Sequence, residues 1–216
     1  MHSNWHTAIQ EYSVNMSTPE DPFLQAIHEF TWKKMINPRM LSEHLQGLLL
    51  SQLVAIHQPS KILEIGTFTG YATACLLKNL KSQGELFTIE ADAETLYKTR
   101  EFWKIHKKDH LVHWIHGDAT QVLAHWEPES LDFIFVDADK TNYQEYLKLC
   151  KPLLRTNGVL LFDNTLWSNR VVNEADRKVD RDTKNMHDFN QFAKNQAGFE
   201  TVLLPIRDGL TLMRKH

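Results

Sequence analysis

From Lys61 onward, short apolar runs alternate with amphipathic stretches, and this alternation is the strongest limit on what the chain can fold into. Lys61–Ile65 (KILEI), Gly84–Glu90 (GELFTIE), Leu111–His116, Leu131–Val136 (LDFIFV) and Gly158–Asp163 (GVLLFD) read as strands. Tyr71–Lys81, Ala93–Lys107, a short piece near Thr120–Trp126 and Asn142–Leu154 read as helices between them. Strict alternation of this kind predicts an α/β fold, with a parallel sheet covered by helices on both faces. After a polar loop, Trp167 to Asp182, the pattern continues with a helix at Thr183–Asn195 and strands at Phe199–Leu204 and Leu210–Arg214. Only Pro205 to Gly209 separates the last two strands. A link that short permits a hairpin and no parallel crossover, so the final strand is expected to run antiparallel to the rest.

The first 60 residues contain no strand pattern. Ser17-Thr18-Pro19-Glu20 fits a helix start with Ser17 as N-cap, and Leu41 to His57 is densely apolar, so two or three helices are expected there. A length of 216 residues fits one domain: a helical extension over 1–60 and an α/β core over 61–216. The net charge of −3 gives no long-range attraction to nucleic acid or to an anionic membrane. The most apolar stretch, Leu48 to Ile56, is far too short to span a bilayer and is broken by Ser51 and Gln52. The residues after Met1 form no apolar signal core. Cys75 and Cys150 form no C-x-x-C motif and read as buried, reduced thiols. The expectation is a soluble, cytoplasmic protein.

In open α/β sheets, ligands bind outside the carboxyl ends of the strands. The first strand ends in Glu64-Ile65-Gly66-Thr67-Phe68-Thr69-Gly70. In a dinucleotide fingerprint, Phe68 would be the middle glycine that lets backbone approach a pyrophosphate. A large side chain there argues against a nicotinamide-dependent dehydrogenase and suits a nucleoside ligand without phosphate. Glu90, at the end of the second strand, has the spacing of a carboxylate that holds a ribose hydroxyl pair. Gly117-Asp118-Ala119 after the third strand offers a turn over a base. Ribose, base and a tail without phosphate together fit S-adenosylmethionine.

The fourth strand ends in Val136-Asp137-Ala138-Asp139-Lys140 and the fifth in Phe162-Asp163-Asn164. Adjacent strand ends would bring Asp137, Asp163 and Asn164 to one rim. These are hard oxygen ligands, suited to Mg²⁺, Ca²⁺ or Mn²⁺ rather than zinc. His110, His113 and His116 recur every three residues, but on a strand that spacing turns His113 away from the other two, so they make no site. No nucleophile elbow G-x-S-x-G and no phosphate loop G-x-x-x-x-G-K-[ST] occurs.

LEIGTFTGYA (Leu63–Ala72), FTIEAD (Phe87–Asp92), HGDA (His116–Ala119), LDFIFVDADKTNY (Leu131–Tyr143), FDNTLW (Phe162–Trp167) and LLPIRDGLTLMRK (Leu203–Lys215) carry a resemblance over nearly the whole chain. The sequence resembles the cation-dependent, S-adenosylmethionine-dependent O-methyltransferases, the family of caffeoyl-CoA and catechol O-methyltransferases. The resemblance implies a Rossmann-like class I methyltransferase fold, with a seven-stranded, mostly parallel sheet and an antiparallel last strand. It implies that Met40, Ser42, Glu64, Gly66, Thr67, Phe68 and Ala72 line the methionine and glycine-turn side of the cofactor. Glu90 would hold the ribose, Asp118 and Ala119 would flank adenine, and Asp139 would lie near the cofactor. Asp137, Asp163 and Asn164 would bind the divalent cation, Asp137 touching the cofactor as well. Trp167 and Ser168 would meet the substrate.

The family usually has serine where Ala72 stands, which removes one contact to the methionine tail. Lys140 is the implied catalytic residue, a general base whose pKa the neighbouring divalent cation lowers, or an electrostatic partner for the phenolate. The implied acceptor is a catechol-like or caffeoyl-type small molecule, and the implied assembly is a homodimer. A hydroxylated nucleoside in tRNA is the alternative acceptor, and the negative charge leans against it.

Overall fold

The computed structural model describes residues 2–216, with side chains from residue 8 onward. Strands β1 (Lys61–Ile65), β2 (Glu85–Glu90), β3 (His113–His116), β4 (Leu131–Val136), β5 (Leu154–Asp163), β6 (Phe199–Leu204) and β7 (Leu210–Lys215) form one sheet. Their order is β3-β2-β1-β4-β5-β7-β6. β1 to β5 pair in parallel, and β7 lies between β5 and β6, antiparallel to both. The antiparallel last strand is as the short Pro205–Gly209 link requires.

Nine helices are described: α1 (His2–Asn15), α2 (Pro22–Lys34), α3 (His44–His57), α4 (Tyr71–Lys78), α5 (Ala93–Ile105), α6 (Ala119–Leu123), α7 (Tyr143–Leu153), α8 (Glu174–Val179) and α9 (Arg181–Lys194). The two-residue period of the strands divides them between two cores. Ile62, Phe133, Phe135 and Leu161 pack with Leu50 and Val54 of α3, Leu76 of α4 and Trp103 of α5. Leu63, Ile134, Val136 and Phe162 pack on the other face with Tyr143 and Leu147 of α7 and Met186 and Phe189 of α9. Each such fully buried large side chain contributes about 1.5–3 kcal/mol relative to exposure.

Four local expectations change. The helix expected to start at Ser17 starts at Pro22, with Asp21 as N-cap accepting from the Phe23 N–H at 2.8 Å. Asp21-Pro22 supplies both a capping carboxylate and a proline at the first helical position, so it outcompetes the earlier signal. Ser17 instead donates its hydroxyl to the Ser13 carbonyl, closing the end of α1. The polar segment read as a loop contains α8, capped by Asn173, which accepts from the Ala175 N–H, and carrying acidic residues in its first turn. β5 reaches back to Leu154, because Leu154 pairs with Leu131 ahead of a break in register. β3 begins only at His113: Asp109–Leu111 form a 3₁₀ turn, so His110 is not on the strand at all.

The sheet leaves no room for a side chain at the end of β1. Gly66 has φ +95°, and a Cβ there would lie 2.1 Å from the Asp137 carbonyl oxygen. Gly66→Ala should therefore cost stability by at least about 2–4 kcal/mol, read as a lower urea midpoint with an unchanged m-value.

Candidate active site

β1 is flanked by β2 on one side and β4 on the other, so the chain order reverses at its carboxyl end. A crevice is expected at such a point, and a cleft of about 990 Å³ opens there. Its floor is the glycine turn. Gly66 N–H donates to the Ile89 carbonyl at 3.0 Å, and Asp137 N–H donates to the Ile65 carbonyl at 2.8 Å. The turn is thereby hung between the ends of β2 and β4. Phe68 has φ +50°, an unusual conformation for a bulky residue, held by its N–H donating to Glu90 Oε2 at 2.8 Å. Glu90 Oε1 also accepts from the Asp92 N–H, so two backbone donors orient this carboxylate at the cleft. Gly70 is needed for contact as well as conformation, since a Cβ would meet the Trp103 indole nitrogen at 2.7 Å.

The segment between α2 and α3 forms one wall, with Lys34 to Ser42 contributing most of it. Several contacts tie the helical segment to the rim. Thr31 donates to Thr69 in the glycine turn at 2.8 Å, the Tyr71 hydroxyl donates to Glu20 at 2.5 Å, and Arg207 donates to the Leu41 carbonyl at 3.0 Å. Met40, Ile36 and Trp167 give the cleft an apolar margin, and Met40 and Ile36 are exposed.

The acidic cluster stands at the ends of β4 and β5. Val136 pairs with Phe162, so Asp137 and Asp163 leave neighbouring strands at the same level. Burial pushes the Asp163 carboxyl well above the usual carboxylate range, and the charge of Asp137 adds to this. Asp163 accepts from the Gln46 amide at 2.6 Å and from the Asn164 N–H at 2.7 Å. Lys140 Nζ lies 2.5 Å from Asp137 Oδ1. Burial alone would lower the Lys140 pKa, but negative charge at Tyr143 and Asp137 raises it instead. Burial also raises the Tyr143 phenol, so at neutral pH Asp137 is the partner that keeps Lys140 an ammonium. Without a cation, the ion pair with Asp137 therefore holds Lys140 above its ordinary value.

Asn164, Trp167, Ser168 and Asn169 all have positive φ, so the loop leaving β5 needs bracing. The β6–β7 turn supplies it: the Asp208 carboxylate accepts from the Ser168 N–H, and the Asp208 carbonyl from the Leu166 N–H.

Most of the residues singled out from sequence line this one cleft: Met40, Ser42, Gly66, Thr67, Phe68, Ala72, Glu90, Asp118, Ala119, Asp137, Asp139, Lys140, Asp163, Asn164 and Trp167. Two do not. Ser168 is exposed beside it. Glu64 is fully buried behind the turn, where it accepts from Thr73 and Thr88; Thr88 in turn meets Thr67 at 2.5 Å. Sequence reading missed Gln46, Tyr71, Arg207 and Asp208. No local signal marks them: Gln46 is one of several polar residues in α3, alongside Ser51 and Gln52. The histidine set stays apart: His113 stacks on Phe87 and His116 contacts the Ala91 carbonyl.

With this geometry in view, comparison with known proteins is decisive. A family model described as O-methyltransferase matches residues 10–216. The chain belongs to that family. It is 32% identical to the flavonoid 3',5'-methyltransferase of Vitis vinifera over 79% of this chain and 76% of the relative. It is 29% identical to the caffeoyl-CoA O-methyltransferase of Medicago sativa, over 96% and 88% of the two chains. The O-methyltransferase of Bacillus cereus in complex with SAH superimposes with a TM-score of 0.85 at 25% identity, covering 97% of each chain. The Rossmann-like class I methyltransferase fold is thereby assigned to this S-adenosylmethionine-dependent O-methyltransferase, and the dehydrogenase alternative falls away. No helix among the described residues is long and apolar enough to cross a membrane.

Burial raises the Glu64 carboxyl to about 8, against the lowering effect of its two threonine donors. Below about pH 4.5 it is protonated whether the chain is folded or unfolded, and stability is unaffected. Between there and about 8 only the unfolded chain ionises, so stability should fall as pH rises, then level off. Urea midpoints measured from pH 5 to 8.5 should fall, and Glu64→Gln should flatten that slope.

Proposed function

We propose that this enzyme methylates a hydroxyl of a catechol-like, caffeoyl-type small molecule, with a divalent cation, Mg²⁺ first among candidates, held by Asp137, Asp163 and Asn164. The observation that carries the reading is the meeting of two carboxylates and an amide at adjacent strand ends, inside the cleft floored by the glycine turn. Two acids this close, one of them buried, lack positive charge beyond Lys140, and their oxygens are the donors a hard cation selects. Among the described residues no His/Cys/Asp/Glu cluster of three forms; in this reading the third ligand is the Asn164 amide. When bound, the cation supplies Lewis acidity that lowers the pKa of the acceptor hydroxyl.

The remaining roles belong to this chain. Glu90 holds the ribose with an already oriented carboxylate, and Asp118 and Ala119 flank adenine at the start of α6. Met40, Ser42, Gly66, Thr67, Phe68 and Ala72 surround the methionine tail, with Glu64 supporting the turn from behind and Asp139 beside the cofactor. Ala72 offers the tail no hydroxyl. The reaction joins the acceptor oxygen to the methyl carbon and breaks the methyl–sulfur bond. The sulfonium becomes a neutral thioether, and the hydroxyl proton passes to the Lys140 amine. With the cation answering the charge of Asp137, Lys140 is released from that ion pair to act as the base, and as an ammonium it then stabilises the acceptor oxygen. Trp167 covers the aromatic ring and Ser168 edges the acceptor.

The enzyme works as a homodimer in a reducing compartment, the cytoplasm. Ile9, Tyr12 and Met16, spaced three and four apart on and just past α1, are 60%, 67% and 66% exposed, an apolar row a second copy would cover. Cys75 and Cys150 are free and buried.

Methyl transfer from labelled S-adenosylmethionine to a caffeoyl or catechol acceptor tests the reading. Turnover should vanish with chelator and return with Mg²⁺, and Asp163→Ala should raise the Mg²⁺ requirement at least about tenfold. Lys140→Met should lower kcat by about 10²–10⁴ while leaving cofactor affinity unchanged. Turnover indifferent to chelator would sink the cation, and activity confined to hydroxylated RNA would replace the acceptor.

A further inference from the structure

Gln46 lies in the first turn of α3, ahead of its apolar run, and is 2% exposed. A primary amide so placed must satisfy its hydrogen bonds inside the protein. Its Nε2 donates to Asp163 Oδ2 at 2.6 Å, and its Oε1 accepts from Arg207 Nη1 at 3.3 Å. The two ends of an amide differ only in what they can bond. A carboxylate only accepts and a guanidinium only donates, so this pair of neighbours permits a single orientation. Turned over, Gln46 would set its oxygen against Asp163 and its amino group against Arg207, losing both bonds. Arg207 cannot follow such a turn. Its Nη2 donates to the Leu41 carbonyl at 3.0 Å, and its Nε pairs with Glu43 at 3.3 Å.

The consequence falls on Asp163. One of its oxygens is fixed by the neighbouring Asn164 N–H, the other by a residue 117 positions away. Each oxygen keeps a further lone pair. We propose that Gln46, oriented by Arg207, is a positioning residue that holds the Asp163 carboxylate in the one rotamer presenting those lone pairs beside Asp137 and Asn164. This rests on the cation site proposed above. It links the helical segment to that site through the β6–β7 turn, and it gives a neutral amide and a distant arginine a part in metal affinity.

The test is direct binding of Mn²⁺ to the purified enzyme, followed by paramagnetic resonance, with SAH binding measured separately. Gln46→Met keeps the volume and removes the amide. It should weaken Mn²⁺ binding ten- to a hundredfold, as loss of an outer partner of a metal ligand does, while SAH affinity stays within about twofold. Arg207→Leu should weaken Mn²⁺ binding by roughly threefold or more, and this cost should vanish in the Gln46→Met background, because the arginine acts through the amide.

Equal Mn²⁺ affinity in the wild type and Gln46→Met would overturn the proposal. So would an Arg207→Leu effect that persists undiminished in the double variant. A wild type that binds SAH but no Mn²⁺ would remove the cation site itself, a failure distinct from either of these.

Discussion

The backbone contact between Gly66 and Asp137 governs this molecule. β1 and β4 run side by side, and at their carboxyl ends the chain from β1 must turn directly against the carbonyl of the residue leaving β4. That contact sets the height of the glycine turn relative to the first acid of the cluster. A cofactor seated on the turn and a group held by the acid are therefore positioned by the same few atoms. The turn is also tied to β2 through Gly66 and Phe68, which brings Glu90 into the same frame. Precision of this kind is what a displacement reaction needs, because much of its rate comes from holding attacker and leaving group in line.

The second constraint is electrostatic. Asp137 and Asp163 stand close, with Asp163 buried, and Lys140 answers only part of their charge. The protein meets the rest with neutral donors: the Gln46 amide and the Asn164 N–H. Neutral donors hold a carboxylate in place without cancelling its charge. That leaves the cluster structured yet still attractive to a cation. A buried arginine in place of Gln46 would have quenched it.

Much of this was legible in the sequence, because sheet and strand-end chemistry obey short-range rules. KILEI, LDFIFV and GVLLFD announce buried strands, and the residues just past each strand must fall on one edge of a parallel sheet. Glu90, Asp137 and Asp163 could be brought together without knowing any contact. Gln46 and Arg207 could not, since their partners lie 117 and 161 positions distant and no periodicity links them. Local competition misled in another way: Ser17 and Asp21 both satisfy the rules for opening a helix, and Asp21-Pro22 wins. The 2.5 Å contact between Lys140 and Asp137 is likewise one that sequence adjacency alone does not define.

β7 lies inside the sheet although it follows β6 in the chain, and its first residue, Leu210, pairs with Asp163. During synthesis, β5 must wait with an open flank until residue 215 has left the ribosome. Only then can the turn bearing Arg207 and Asp208 swing in beside the acids. The residues proposed for the nucleoside, Glu90, Asp118 and Ala119, all precede β4 in the chain. The strand beside Asp163 and the turn that braces its loop thus come after every other element of the sheet, so the acidic corner of the cleft is the last part of it to be closed.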